Sequence, residues 1–162
     1  MKILVLDQAS IITGWAVFSG GQLLAHGKID LSKKKAASNP LIRYKKMCNA
    51  IQDLVDKEMP DWVVFEEVAL QTNVATLHTL CQLQGSILQM CFERNIEHYV
   101  FSPSSWRKLL EFQQGKGIRR PQLKAQAKQY VATQYDKAVS EDEADAICMG
   151  CAFTKLLTQK GA

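Results

Sequence analysis

Residues 2–29 read KILVLDQASIITGWAVFSGGQLLAHGKI, and this stretch decides the fold. Ile3-Leu4-Val5-Leu6 is a short apolar run that ends abruptly at Asp7. An apolar run without alternation reads as a strand buried on both faces. Residues 13–19 and 22–29 read as two further strands. Gly20-Gly21 between them supplies a two-residue hairpin turn, because such turns call for positive φ, which glycine adopts freely. The chain therefore opens with three strands that fold back on one another.

Helices follow. Asn39 is a good N-cap and Pro40 suits the first helical position. Leu41, Tyr44, Met47, Cys48, Ile51, Leu54 and Val55 then keep the helical period until Pro60 stops it. Residues 61–67, Asp-Trp-Val-Val-Phe-Glu-Glu, read as a fourth strand that turns acidic at its end. A second helix is expected from about Thr72 to Arg94. Its apolar stripe (Val74, Leu77, Leu80, Cys81, Leu83, Ile87, Leu88, Cys91) is wide enough to meet a sheet and a partner, or to be core throughout. Residues 98–102 read as a fifth strand. Ser102-Pro103 caps a short helix to about Phe112, and residues 113–120 form a polar loop. Pro121 opens a helix to about Tyr135. The last helix runs from Ser140 to about Thr158, with Ser140 and Glu143 matching a capping box. The pattern β-β-β-α-β-α-β-α-α implies a mixed sheet with helices on both faces, in a single domain spanning residues 1–162.

The 162 residues suffice for one domain with its own core. No apolar run reaches the roughly 20 residues of a membrane span. The opening apolar run is also shorter than the roughly 7–15 residues of a signal peptide's core, so a cytoplasmic protein is expected. Five cysteines in such a chain read as reduced thiols, and Cys148-Met149-Gly150-Cys151 as helix core rather than a zinc site. The net charge of +4 hides a strong pattern. Residues 99–130 carry seven basic side chains (Arg107, Lys108, Lys116, Arg119, Arg120, Lys124, Lys128) against Glu111, a local charge of +6. Residues 28–46 carry seven more against Asp30, again +6, which leaves −8 for the remainder. Clustered Lys and Arg suit a phosphate backbone, while Lys33-Lys34-Lys35 alone reads as a solvated loop.

Acids gather at particular places. In open α/β sheets reactive groups collect at the carboxyl ends of the strands. Asp7 ends the first strand, and Glu66 and Glu67 end the fourth; strand parity does not choose between the two glutamates. Each of these acids has a plain structural explanation when taken alone, as a turn residue or a strand exit. Asp142 and Glu143 fit the positive end of a helix dipole. Asp145 resists that explanation, because it stands beyond the first turn between alanines on an apolar helix. A buried charge there needs a partner or a metal. Converging carboxylates repel, and a hard divalent cation such as Mg²⁺ or Mn²⁺ relieves the conflict.

Three ordered blocks resemble the RuvC family of Holliday-junction resolvases, within the RNase H-like superfamily. They are Asp7-Gln8-Ala9-Ser10-Ile11-Ile12-Thr13-Gly14-Trp15, then Phe65-Glu66-Glu67-Val68 with Asn73 and Gln84-Gly85, then Asp142-Glu143-Ala144-Asp145-Ala146-Ile147. The resemblance runs nearly end to end, and the chain's compactness fits a divergent or phage-type member. It implies an RNase H-like five-stranded sheet whose first three strands are antiparallel. It also implies that Asp7, Glu66, Asp142 and Asp145 are catalytic metal ligands for two Mg²⁺ ions, with Mn²⁺ able to substitute. It implies a homodimer that nicks a four-way DNA junction in two strands, leaving 5′-phosphate and 3′-hydroxyl ends, in recombination and repair. Arg107 and Arg120 match positions of phosphate-contacting residues; Lys108, Lys116, Arg119 and Lys124 join them as DNA-binding candidates. Helix 72–94 is the candidate dimer contact, and branch-migration proteins are further candidate partners. The rival readings are an RNase H-like nuclease on ribosomal RNA precursors or RNA/DNA hybrids, and a nucleic-acid-binding module without activity.

Two positions depart from the family pattern. Gln8-Ala9 replaces the usual Pro-Gly, which puts the shape of that turn in question. Ala69 replaces an aromatic that many relatives carry after the second block. An aromatic stacked on a base is worth about 1–3 kcal/mol, so without it cleavage rates on junctions of different core sequence should differ by less than about a hundredfold. Rates measured on a set of fixed-core junctions check this, and a larger spread contradicts it.

Overall fold

A computed structural model describes residues 1–32, 39–69 and 73–160. Lys33, Lys34, Lys35 and Thr72 lie outside the described residues. The elements are β1 (Lys2–Asp7), β2 (Ile12–Ser19), β3 (Gln22–Asp30), α1 (Pro40–Glu58), β4 (Trp62–Glu66), α2 (Val74–Arg94), β5 (Glu97–Phe101), α3 (Pro103–Leu109), α4 (Arg120–Tyr135) and α5 (Glu141–Lys160).

The five strands form one sheet in the order β3-β2-β1-β4-β5. β1 pairs antiparallel with β2 and parallel with β4, and β4 pairs parallel with β5. The expected mixed sheet with an antiparallel opening is therefore present. Gly20 and Gly21 turn the β2–β3 hairpin at φ of 56° and 80°, with Ser19 facing Gln22 across it.

β1 is central, and that explains its unbroken apolar run. Ile3 and Val5 enter a core layer shared with α5, and Leu4 and Leu6 enter the opposite layer with residues of α1 and α2. Cys148 is wholly buried in the first of these layers, as core packing requires. Among the described residues, no helix is long and apolar enough to cross a membrane.

Several boundaries differ from expectation for identifiable reasons. α2 begins at Val74 because the Asn73 side chain caps it, accepting from the Thr76 amide at 3.1 Å. α3 ends at Leu109 rather than near Phe112. Glu111 there adopts a φ of 61°, while the amides of Glu111 and Phe112 return to the carbonyls of Lys108 and Arg107. That is a Schellman closure, and its apolar contact is Phe112 on Trp106. The stripe of α2 also divides. Leu83, Ile87, Met90 and Cys91 are buried, whereas Val74 and Cys81 are exposed.

α5 crosses directly over β2. A Cβ at Gly14 would lie 2.0 Å from the Asp142 carbonyl oxygen, and one at Gly150 would lie 2.1 Å from the Phe18 ring. Glycine is needed at both points because backbone and ring already occupy the space. Gly14→Ala should cost about 1–3 kcal/mol, the usual range for overpacking, and should move the first turn of α5. Thermal unfolding checks this; a melting temperature within about a degree of wild type contradicts it.

Candidate active site

The four predicted acids reach one cleft from three elements. Leu6 of β1 faces Phe65 of β4 in parallel register, so Asp7 and Glu66 end neighbouring strands. Side-chain alternation separates the two glutamates. Val5 and Val64 both point into the layer beneath α5. Asp7 and Glu66, two residues further on, therefore share that side. Glu67 is exposed.

α5 brings the other two acids. Its first turn is held by a capping box: Ser140 Oγ donates to Glu143 Oε2 at 2.6 Å, and the Glu143 amide donates back to Ser140 Oγ at 3.4 Å. His26 of β3 adds a 2.9 Å bond to Glu143 Oε1. Burial pushes the Glu143 carboxyl up, but the Ser140 and His26 bonds outweigh it and leave the group below the ordinary range. Glu143 is thus a structural anchor. Asp142 and Asp145, on either side of it, line the same cleft of about 440 Å³ as Asp7 and Glu66.

Charge in the cleft is only partly balanced. Burial, followed by repulsion from Asp145, raises the Asp7 carboxyl well above the usual range. Burial likewise raises Glu66 and Asp145. Lys124 of α4 is the main countercharge. Its ammonium bonds Asp145 and lies 3.8 Å from Asp7 Oδ2. Burial opposes the charged form of Lys124, yet attraction to Asp7 and Asp145 leaves its pKa raised.

The basic candidates divide. Arg107, Arg120 and Lys124 line the cleft with the acids. Lys116 and Arg119 are exposed in and beside the loop before α4. Lys108 lines a separate groove with Tyr99, Leu109 and Lys155. Arg43, Lys45 and Lys46 ride on α1, whose buried residues pack on the sheet face away from α5, so that part of the first basic stretch is remote from the acids.

Two contacts at Glu66 had no signal in the sequence. Trp106 of α3 donates its indole N–H to Glu66 Oε1 at 2.8 Å, and Arg107 lies 3.6 Å from the same oxygen. The Gln8 side chain donates to the Glu66 carbonyl, and its Oε1 accepts the Glu66 amide at 3.3 Å. Gln8 thus continues the β1–β4 ladder with its side chain. The turn that follows is closed by Thr13, whose hydroxyl accepts from the Ala9 amide at 3.0 Å and donates to the Ala9 carbonyl at 2.8 Å. Neither Gln8 nor Ala9 has positive φ, so the turn forms without the glycine of the family pattern.

A family model described as crossover junction endodeoxyribonuclease RuvC matches residues 3–153. This chain belongs to the RuvC family. The crossover junction endodeoxyribonuclease RuvC of Caldicellulosiruptor saccharolyticus is 25% identical over 109 residues, covering 64% of this chain and 63% of that protein. The RuvC of Finegoldia magna is 27% identical over 107 residues, again 64% and 63%. The match therefore spans less than two thirds of the length of these curated relatives. T. thermophilus RuvC, solved in complex with a Holliday junction substrate, superposes with a TM-score of 0.73 at 15% identity, covering 98% of this chain and 96% of that one. The fowlpox virus resolvase, also solved with Holliday junction DNA, gives 0.65 at 16% identity, covering 97% and 99%. At such identities the likeness is one of fold.

The site of this RuvC-family chain suits a hard cation in donor type. Its acids offer oxygen alone, and neither His nor Cys lines the cleft. Among the described residues, no three His, Cys, Asp or Glu side chains are arranged to hold a metal ion. The Lys124 ammonium lies instead between Asp7 and Asp145. A position that already draws in a cationic group fits a divalent ion in charge.

These shifts carry a sign for stability. Raised carboxyl pKa values mean that the folded chain binds these protons more tightly than the unfolded chain. Their contribution is complete below the ordinary carboxylate range and is lost as pH rises through the raised values. Above the ordinary carboxylate range these acids therefore strain the fold. Asp7→Asn should raise metal-free stability by about 1 kcal/mol, or about 2–4 °C in melting temperature. The gain should vanish in acid, where Asp7 is already protonated. Thermal scans at several pH values check this, and a destabilised variant at neutral pH contradicts it.

Proposed function

We propose that this chain is a metal-dependent endodeoxyribonuclease that resolves Holliday junctions, and other branched DNA, by paired nicks leaving 5′-phosphate and 3′-hydroxyl ends. The observation that carries the reading is the meeting of Asp7, Glu66, Asp142 and Asp145 in one cleft with Arg107, Arg120 and Lys124, in a member of the RuvC family.

Asp7, Glu66, Asp142 and Asp145 would hold two Mg²⁺ ions, with Mn²⁺ able to replace them. Bound there, the ions supply an activated water and stabilise the leaving 3′-oxygen. The chain's own groups do the rest. Arg107 and Arg120 seat the scissile phosphate at the cleft mouth, and Lys124 offsets the charge of Asp7 and Asp145. Trp106 and Gln8 keep Glu66 in place, and the Ser140–Glu143–His26 anchor keeps α5 against β2. Lys116 and Arg119 extend the backbone contact beyond the cleft, and Lys108 contacts more distant phosphates.

Resolution needs two cuts, so two copies act together. α2 supports this arrangement: Val74 and Phe92 are 62% and 61% exposed on it, and Cys81 is exposed as well. A second copy would cover that surface.

The test compares a synthetic four-way junction with linear duplex, fork and RNA/DNA hybrid in Mg²⁺. The junction should be cut fastest, and preference for the hybrid contradicts the assignment. Asp7→Asn should lower nicking by at least about a thousandfold, as expected when a group that acts in the transition state is lost. Junction binding in gel shift should persist. Wild-type cleavage by Asp7→Asn removes Asp7 from the mechanism.

A further inference from the structure

Glu66 is restrained at both its backbone and its carboxylate. Its amide and carbonyl are both taken by the Gln8 side chain. Its Oε1 accepts the Trp106 indole N–H at 2.8 Å and lies 3.6 Å from Arg107. Among the described residues, no hydrogen bond or ion pair engages Oε2.

Trp106 is itself enclosed. It is 1% exposed and is among the largest fully buried side chains of the molecule. Its ring packs against Phe112 at a centroid distance of 5.8 Å, and the Schellman closure fixes Phe112. A buried indole N–H needs an acceptor, and a carboxylate is a strong one. The other fully buried aromatic side chains of this layer, Phe18, Phe101 and Phe153, have no polar atom to direct. Trp106 alone among them carries a donor, and that donor ends on an acid of the cleft.

We infer that Trp106 is a positioning residue for the cation site: its indole N–H holds Glu66 by Oε1, so that the carboxylate meets a divalent cation through Oε2. The inference rests on the reading of the four acids as cation ligands. Groups that orient metal ligands typically change metal affinity by about 10- to 100-fold when removed.

The test is made without DNA. In a Trp15→Phe/Trp62→Phe background, Trp106 is the one tryptophan left of the chain's three. Its emission should change saturably on Mg²⁺ addition, with the midpoint found by calorimetry on the native chain. Trp106→Phe keeps an aromatic ring and removes the donor, and its Mg²⁺ affinity should fall about 10- to 100-fold while unfolding stays cooperative. Replacement of Trp106 by its benzothienyl analogue, which has sulfur in place of N–H, keeps the ring shape and should show the same loss even if Trp106→Phe fails to fold. Affinity within about twofold of wild type in a folded variant overturns the positioning role. So does a Trp106 emission unmoved by saturating Mg²⁺. No saturable Mg²⁺ binding by the native chain overturns this inference together with the reading beneath it, so the native titration tells the two failures apart.

Discussion

The site depends on how closely α5 can approach β2. Gly14 has no side chain, so the Asp142 backbone rests on the strand where a Cβ would lie 2.0 Å from its carbonyl oxygen. Gly14 faces Asp7 across the β1–β2 ladder. The contact that seats α5 therefore also sets Asp142 and Asp145 beside Asp7. His26, two residues along β3 from Lys28, which faces Gly14 across the β2–β3 ladder, and Ser140 tie the same turn through Glu143. Restrained from both sides, the helix delivers two carboxylates with little freedom to relax away from each other.

That geometry crowds carboxylates together in a buried cleft. Three acids in the cleft have raised pKa values, with burial as the largest cause. Lys124 is drawn in as a partial remedy. Buried like charges persist in folded proteins when surrounding structure enforces them, and they concentrate at functional sites. Here the sheet, the Gly14 contact and the Glu66 clamp do the enforcing. The same charges that weaken the fold would favour a bound cation, so stability and function oppose each other at Asp7.

Much of this was legible in the sequence because the signals were local. The β1 run, the Gly20-Gly21 turn, the Asn39-Pro40 start and the Ser140–Glu143 box each depend on a few adjacent residues. The four acids were legible as strand ends and as a charge with no local explanation. What escaped depended on distant parts of the chain. Strand parity alone did not choose Glu66 over Glu67; the family resemblance did, and a physical reason required knowing which sheet face α5 covers. The role of Lys124 required α4 to lean over the cleft, which turned a surface lysine of the sequence into the countercharge of Asp145. The Trp106–Glu66 bond spans 40 residues, and neither residue announces the other. Gln8 looked like the loss of a Pro-Gly turn, yet its amide bonds both backbone groups of Glu66 and keeps the strand ends together.

Whether the cleft is a cation site is measured most directly by calorimetric titration of Mg²⁺ into the DNA-free protein at neutral pH, beside Asp145→Asn. Asp145 serves best because it is 5% exposed and has no role on the outer surface. Saturable binding by the wild type and its loss in a folded Asp145→Asn protein are the expected results. Equal binding by the two proteins, or none by the wild type, would contradict the assignment of these carboxylates as the metal centre.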